Sequence, residues 1–194
     1  MARSASVPPV DLDHEMVQAY AINDRMYQLL LRHLDPRAWR ARIPGERGRT
    51  IAAIIAHVHH VRCKWLRLSA PQLKQPTRLE RTRCTQKEAS EALAESAARC
   101  CEMLREALSV PQGRVPMFVR DGWARAWKPG ASMFAYMICH DAHHRGQICM
   151  LAHQLGFRLP VAADSGMWAW ERLEKEKGSK TAVPRGKRSL SKKD

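Results

Sequence analysis

Histidines gather in two stretches of this sequence, HVHH at 57–60 and HDAHH at 140–144. Imidazole is the side chain that coordinates transition metals as a neutral ligand at physiological pH, so the question is which of these rings share a direction. Each residue of an α-helix advances by about 100°, which places His140 and His144 within about 20° of the apolar direction set by Met133 and Leu151. His143 lies about 80° off and His153 points away. On the earlier stretch the apolar stripe is Ile54, Val58, Val61, Trp65 and Leu68. His57 sits about 60° from its centre and His60 about 120°, with His59 further round, so His59 and His60 are expected toward solvent or the boundary. Two inward imidazoles four residues apart form a bidentate clamp, and a third from a facing helix completes three protein ligands with positions left for water or substrate. The competing reading is a set of core histidines hydrogen-bonded to carbonyls. Nine histidines make the spacing alone a weak signal. Inward placement of both members is stronger, because two unsatisfied buried imidazoles are costly and one ion satisfies both.

Other polar residues fall near the same direction. Gln147 lies one turn beyond His143 and His144, and Asn23 falls in the apolar stripe of the first helical segment. Both are candidates for holding a ligand ring or orienting a substrate, against the plainer role of a core hydrogen bond. Asp141, about 80° round from Met133, either orients a ligand histidine or caps the surface. Cys139 and Cys149 project off the inward face, which disfavours a thiolate ligand, and the inward methionines read as core filler. Trp123, Trp127, Trp168 and Trp170 either close over the site or pack a dimer interface. No catalytic residue is assigned.

The elements that must position these side chains are helices. Ala, Leu, Arg, Glu, Lys and Met dominate, with few β-branched runs. The patterns run from about Asp13 to Leu34 (stopped by Asp35-Pro36), from Thr50 to Ser69, from a Thr85–Glu88 capping box to Leu108, and from Ser132 to Leu155 with Gly156 behind it. The segment MWAWERLEKEKG (167–178) reads as a short helix packed by its tryptophans. Four long amphipathic helices imply an all-α four-helix bundle at 11–177, between a disordered lead-in (1–10) and a basic disordered tail (178–194).

The net charge of +14 is uneven: the tail carries Lys180, Arg185, Lys187, Arg188, Lys192 and Lys193 against Asp194 alone. This permits nucleic-acid binding without requiring it. Six cysteines show no paired spacing, the N-terminus lacks an apolar signal core, and no stretch is long enough to span a membrane. Free thiols in a reducing cytoplasm are the expectation.

The string CHDAHHRGQI (139–148) resembles the H-x-x-x-H-R-G-Q signature on the last bundle helix of the DinB/YfiT-like superfamily. TIAAIIAHVHHVRCKWL (50–66) resembles that family's other landmark, a histidine followed by a Trp-Leu helix end. The resemblance covers about Asp13 to Leu155. It implies a four-helix bundle with long crossovers, often dimeric, and places the metal ligands on His57, His140 and His144, with Arg145, Gly146 and Gln147 matching the rest of the signature. The implied ion is zinc, nickel, iron or manganese, and some relatives are transferases or isomerases dependent on low-molecular-weight thiols such as mycothiol or bacillithiol. The basic tail and the HVHH crowding depart from a simple member, and His60 competes with His57 as third ligand. The leading expectation is a metal-dependent enzyme acting on a small molecule by hydrolysis or thiol transfer. The alternatives are a non-catalytic metal-binding bundle and a nucleic-acid-associated protein.

Overall fold

The structure is a computed structural model that describes residues 9–45, 47–109 and 113–176. Four long helices dominate: α1 (Leu12–His33), α2 (Ile51–Ser69), α3 (Gln86–Leu108) and α4 (Ala131–Gln154). Their ends follow the capping chemistry of the sequence. Asp11, Thr50 and Thr85 each accept a backbone N–H of the first turn, and Glu88 completes the reciprocal box with Thr85. Gly156 takes a φ of 81°, and the Phe157 N–H returns to the Ala152 carbonyl. That left-handed turn is one a side chain resists. The sole pairing outside helices among the described residues is an isolated bridge between Phe118 and Trp127.

Helices α1 and α2 each pack on both α3 and α4, so the two pairs sit on opposite diagonals of the bundle. The connections at 34–50, 70–85 and 109–130 are long for a bundle. A C-terminal strap, α5 (Val161–Asp164), a 3-10 turn (Ser165–Trp168) and α6 (Trp170–Lys175), lies along α1. It is seated by Ala163, Met167 and Leu173, and Arg25 donates to the Leu173 carbonyl at 2.7 Å. The tryptophans expected to pack this segment do not: Trp168 is 79% exposed and Trp170 44%. Met167 and Leu173 take the inward positions instead. The expected tail at 178–194 and most of the lead-in lie outside the described residues.

The apolar core falls into two clusters. One gathers Met26, Leu30, Ile55, Val58, Leu93 and Ile148, and the other Val17, Tyr20, Trp65, Cys100, Met133 and Met137. Between them, along all four helices, come Asn23 and Asp24, Arg62, Ser96, and Asp141 with His144, all buried. A polar layer therefore cuts the bundle core, and the histidines stand at its edge.

Candidate metal centre

Arg62 is the hub of that layer. Its side chain is wholly buried. The Arg62 Nε and Nη2 donate to Asp141 Oδ2 at 3.1 and 2.7 Å, and Nη1 donates to Asp24 Oδ1 at 2.8 Å. Asp141 Oδ2 also accepts from Asn23 at 2.9 Å and Tyr20 at 3.3 Å, while Tyr27 donates to the Asp141 carbonyl at 2.6 Å. Arg145 donates to Asn23 Oδ1 at 2.6 Å. Burial acts to raise the Asp141 carboxyl, but Arg62 and the His140 hydrogen bond outweigh it and hold the group below its ordinary range. Asp24 goes the other way: burial raises it despite Arg62. One guanidinium serves two carboxylates, and Asp141 receives the larger share of its donors.

Asp141 faces the core, so a surface role for it is excluded; its free oxygen reaches the histidines. Oδ1 lies 3.3 Å from His140 Nδ1, and because a carboxylate only accepts, that nitrogen carries the proton. On the next turn His144 Nδ1 donates to Gln147 Oε1 at 2.8 Å, and the Gln147 amide nitrogen lies 3.0 Å from His143 Nε2. The Nδ1 bonds of His140 and His144 each leave Nε2 of the ring as the lone-pair nitrogen.

Across from α4, α2 supplies His57. One ligand nitrogen from each of His57, His140 and His144 lies within 4.8 Å of the other two. Ring centroids are 5.6 Å apart for His57–His140, 4.7 Å for His57–His144 and 4.6 Å for His140–His144. Burial, reinforced by repulsion from His144 and nearby arginines, pulls His57 down to about 4. Burial also lowers His144, against the opposing bond from Gln147. At neutral pH these two rings are lone-pair donors, the form a metal requires. Three convergent imidazoles, two with their second nitrogen already held, fit a divalent transition ion.

His60 and His59 do not join the group. His60 Nε2 bonds to the Leu79 carbonyl at 2.9 Å. His59 is fully buried, its nitrogens 3.0 and 2.9 Å from the carbonyls of Ala92 and Thr77. That corrects the expectation of a solvent-facing ring. The buried face of α2 is centred on Ile55, His59, Arg62, Leu66 and Ser69, about a quarter turn from the stripe read in the sequence. α3 and the chain at 77–79 cover a side that a lone helix leaves open. α4 behaves similarly, burying Met133, Met137, Asp141, His144, Ile148 and Ala152. Gln147 is exposed and holds His144; Asn23 is buried and touches Asp141 rather than a histidine. Sequence reasoning missed Arg62 and Asp24. The available signal was a charged residue between Val58 and Trp65 at helical spacing, which demands a buried partner.

Two cavities meet at the histidines and, among the described residues, share only His57. The first, about 800 Å³, takes in His144, Gln147, Ile54, Met150 and Leu151. The second, about 430 Å³, takes in His140, Trp65, Tyr136 and Trp123. Trp123 is 81% exposed at its rim, whereas Trp127 packs on Phe118 and Tyr136.

A helical bundle with a polar layer across its core and three imidazoles at the layer's edge is a scaffold able to hold a metal ion. The chain belongs to the DinB family, whose sequence profile it matches over residues 1–176. Searches of curated proteins and of solved structures each gave no significant match.

Proposed function

We propose that this DinB family member is a metal-dependent enzyme acting on a small molecule by hydrolysis or thiol transfer. The observation that carries the reading is the convergence of His57, His140 and His144 within 4.8 Å at a point where two cavities meet. An ion that merely stapled the bundle would need no such access, and coordination positions facing a cavity are what a substrate uses. The proposed ion is divalent zinc, nickel, iron or manganese. When bound, it supplies Lewis acidity, which makes water or a thiol nucleophilic near neutral pH. The protein's own residues do the rest. His57, His140 and His144 hold the ion as neutral ligands, Asp141 and Gln147 fix the rings of His140 and His144, and the cavity walls select the reactant.

Support for thiol transfer comes from the family resemblance, and the same resemblance supports a homodimer. Light scattering tests the latter: a mass near twice 22.1 kDa is expected. No helix among the described residues is long and apolar enough to cross a membrane, in keeping with the proposed cytoplasmic setting. The function is tested by a panel of esters, amides and electrophiles, with and without low-molecular-weight thiols, on protein loaded with each ion and then chelated. Turnover that disappears on chelation and in His144→Ala is expected. Turnover indifferent to both would refute the reading.

A further inference from the structure

The second cavity is cationic. Among the described residues, Lys64, Arg81 and Arg120 line it against a single carboxylate, Asp121, which Lys64 already pairs with at 3.0 Å. Among the described residues no carboxylate lies within ion-pairing distance of Arg81 or Arg120. Arg120 is also held. Its guanidinium carbon sits 5.4 Å from the ring centre of Trp123, 5.6 Å from Tyr136 and 5.7 Å from Trp127. Its Nε is buried and has no hydrogen-bond partner among the described residues. Trp65, fully buried in the same wall and 5.1 Å from the His140 ring, has an equally unpartnered Nε1. The first cavity differs: among the described residues Arg49 is its one Lys or Arg, beside Ile54, Met150 and Leu151.

We propose that the second cavity receives the carboxylate or phosphate of a small substrate with an apolar or aromatic body, anchored by Arg120 and Arg81 beside His57 and His140. A planar guanidinium fixed among rings offers its N–H donors to an anion in a matching fork, and the rings of Trp123 and Tyr136 take the apolar part. This names the substrate class of the reaction proposed above and rests on that reading for the chemistry, though not for the binding.

The test is a calorimetric titration of the full chain, metal-free and zinc-loaded, with benzoate, phenyl phosphate and neutral benzamide, the zinc content of each sample being measured. At least one anion is expected to bind about tenfold or more tighter than benzamide in the metal-free protein, and the better of the two identifies the headgroup. Arg120→Met and Arg81→Met should each lose about tenfold in that anion, and Arg49→Met, in the other cavity, should stay within about twofold. Arg81 is exposed, so its variant carries the test if Arg120→Met does not fold. Equal binding of all three ligands, or full affinity in a folded Arg120→Met or Arg81→Met, overturns the proposal. Protein that takes up no zinc yet prefers the anion through these arginines overturns the metal reading alone. Protein that takes up zinc and does not discriminate overturns the anion site alone.

Discussion

Fixing the tautomer of an imidazole decides which nitrogen is left to coordinate, and Asp141 and Gln147 do this from opposite environments. Gln147 is exposed, and its side chain bonds to the rings of His144 and His143. Gln147→Ala should therefore weaken metal affinity by about 10-fold or more while leaving Tm in place. A competition titration against a chromophoric chelator, run beside a melt, checks both. Asp141→Ala should do more. It frees the His140 ring and leaves Arg62 short of its main partner, costing about 3–5 kcal/mol in denaturant unfolding. A folded Asp141→Ala protein with undiminished stability would contradict the burial argument. Cysteine chemistry offers a separate check on the core. Burial pushes the Cys63 thiol up to about 11 and Cys101 to about 12, and raises Cys100 as well. At pH 8 the Cys63 thiolate fraction is therefore small, and its alkylation grows only as pH rises toward that value. Iodoacetamide followed by peptide mass analysis should mark the exposed Cys139 first and reach Cys100 and Cys101 only after unfolding.

Helix by helix, the sequence was most readable where local chemistry decides the outcome. Thr50 and the Thr85–Glu88 box start their helices where expected, α1 starts at Leu12 behind an Asp11 cap, close to the expected Asp13, and Gly156 ends α4. Thr85→Ala should cost about 1 kcal/mol, read from a shifted denaturation midpoint with an unchanged slope. The rotation of each helix was less readable, because it depends on neighbours. Hydropathy places the centre of α2 on Ile54 and Val58, but α3 and the chain at 77–79 bury His59 and Arg62 on the adjoining face. His57 was found chiefly through its likeness to a family pattern, since it stands on the flank of α2 where phase is least informative. His140 and His144 were legible by phase, although the centre of the buried face belongs to Asp141. Helical projection rewards apolar residues and is blind to a polar one that is buried with its partners. Asp24 and Arg62 were lost for that reason.

Across the whole molecule, the polar layer joins fold to site. Arg62 on α2 holds Asp24 of α1 and Asp141 of α4, so the three helices are locked at the height where the imidazoles meet. Arg62→Met leaves two carboxylates unpaired in the core and should cost about 3–5 kcal/mol. Calorimetry should also find weaker metal binding in that variant, since Asp141 loses its anchor. The family match ends at residue 176, so a chain cut after Glu176 should keep its Tm and metal content. If nucleic acid bound through the basic segment, the cut would abolish a salt-dependent retention on a nucleic-acid column. His57, His140 and His144 are proposed to hold one ion together. Elemental analysis of purified wild type beside His57→Ala, His140→Ala, His144→Ala and, as a control, His60→Ala checks this. About one transition-metal ion per chain is expected in wild type and His60→Ala, with a marked loss in the other three. Equal metal content in all five proteins, or none in the wild type after loading, would contradict it.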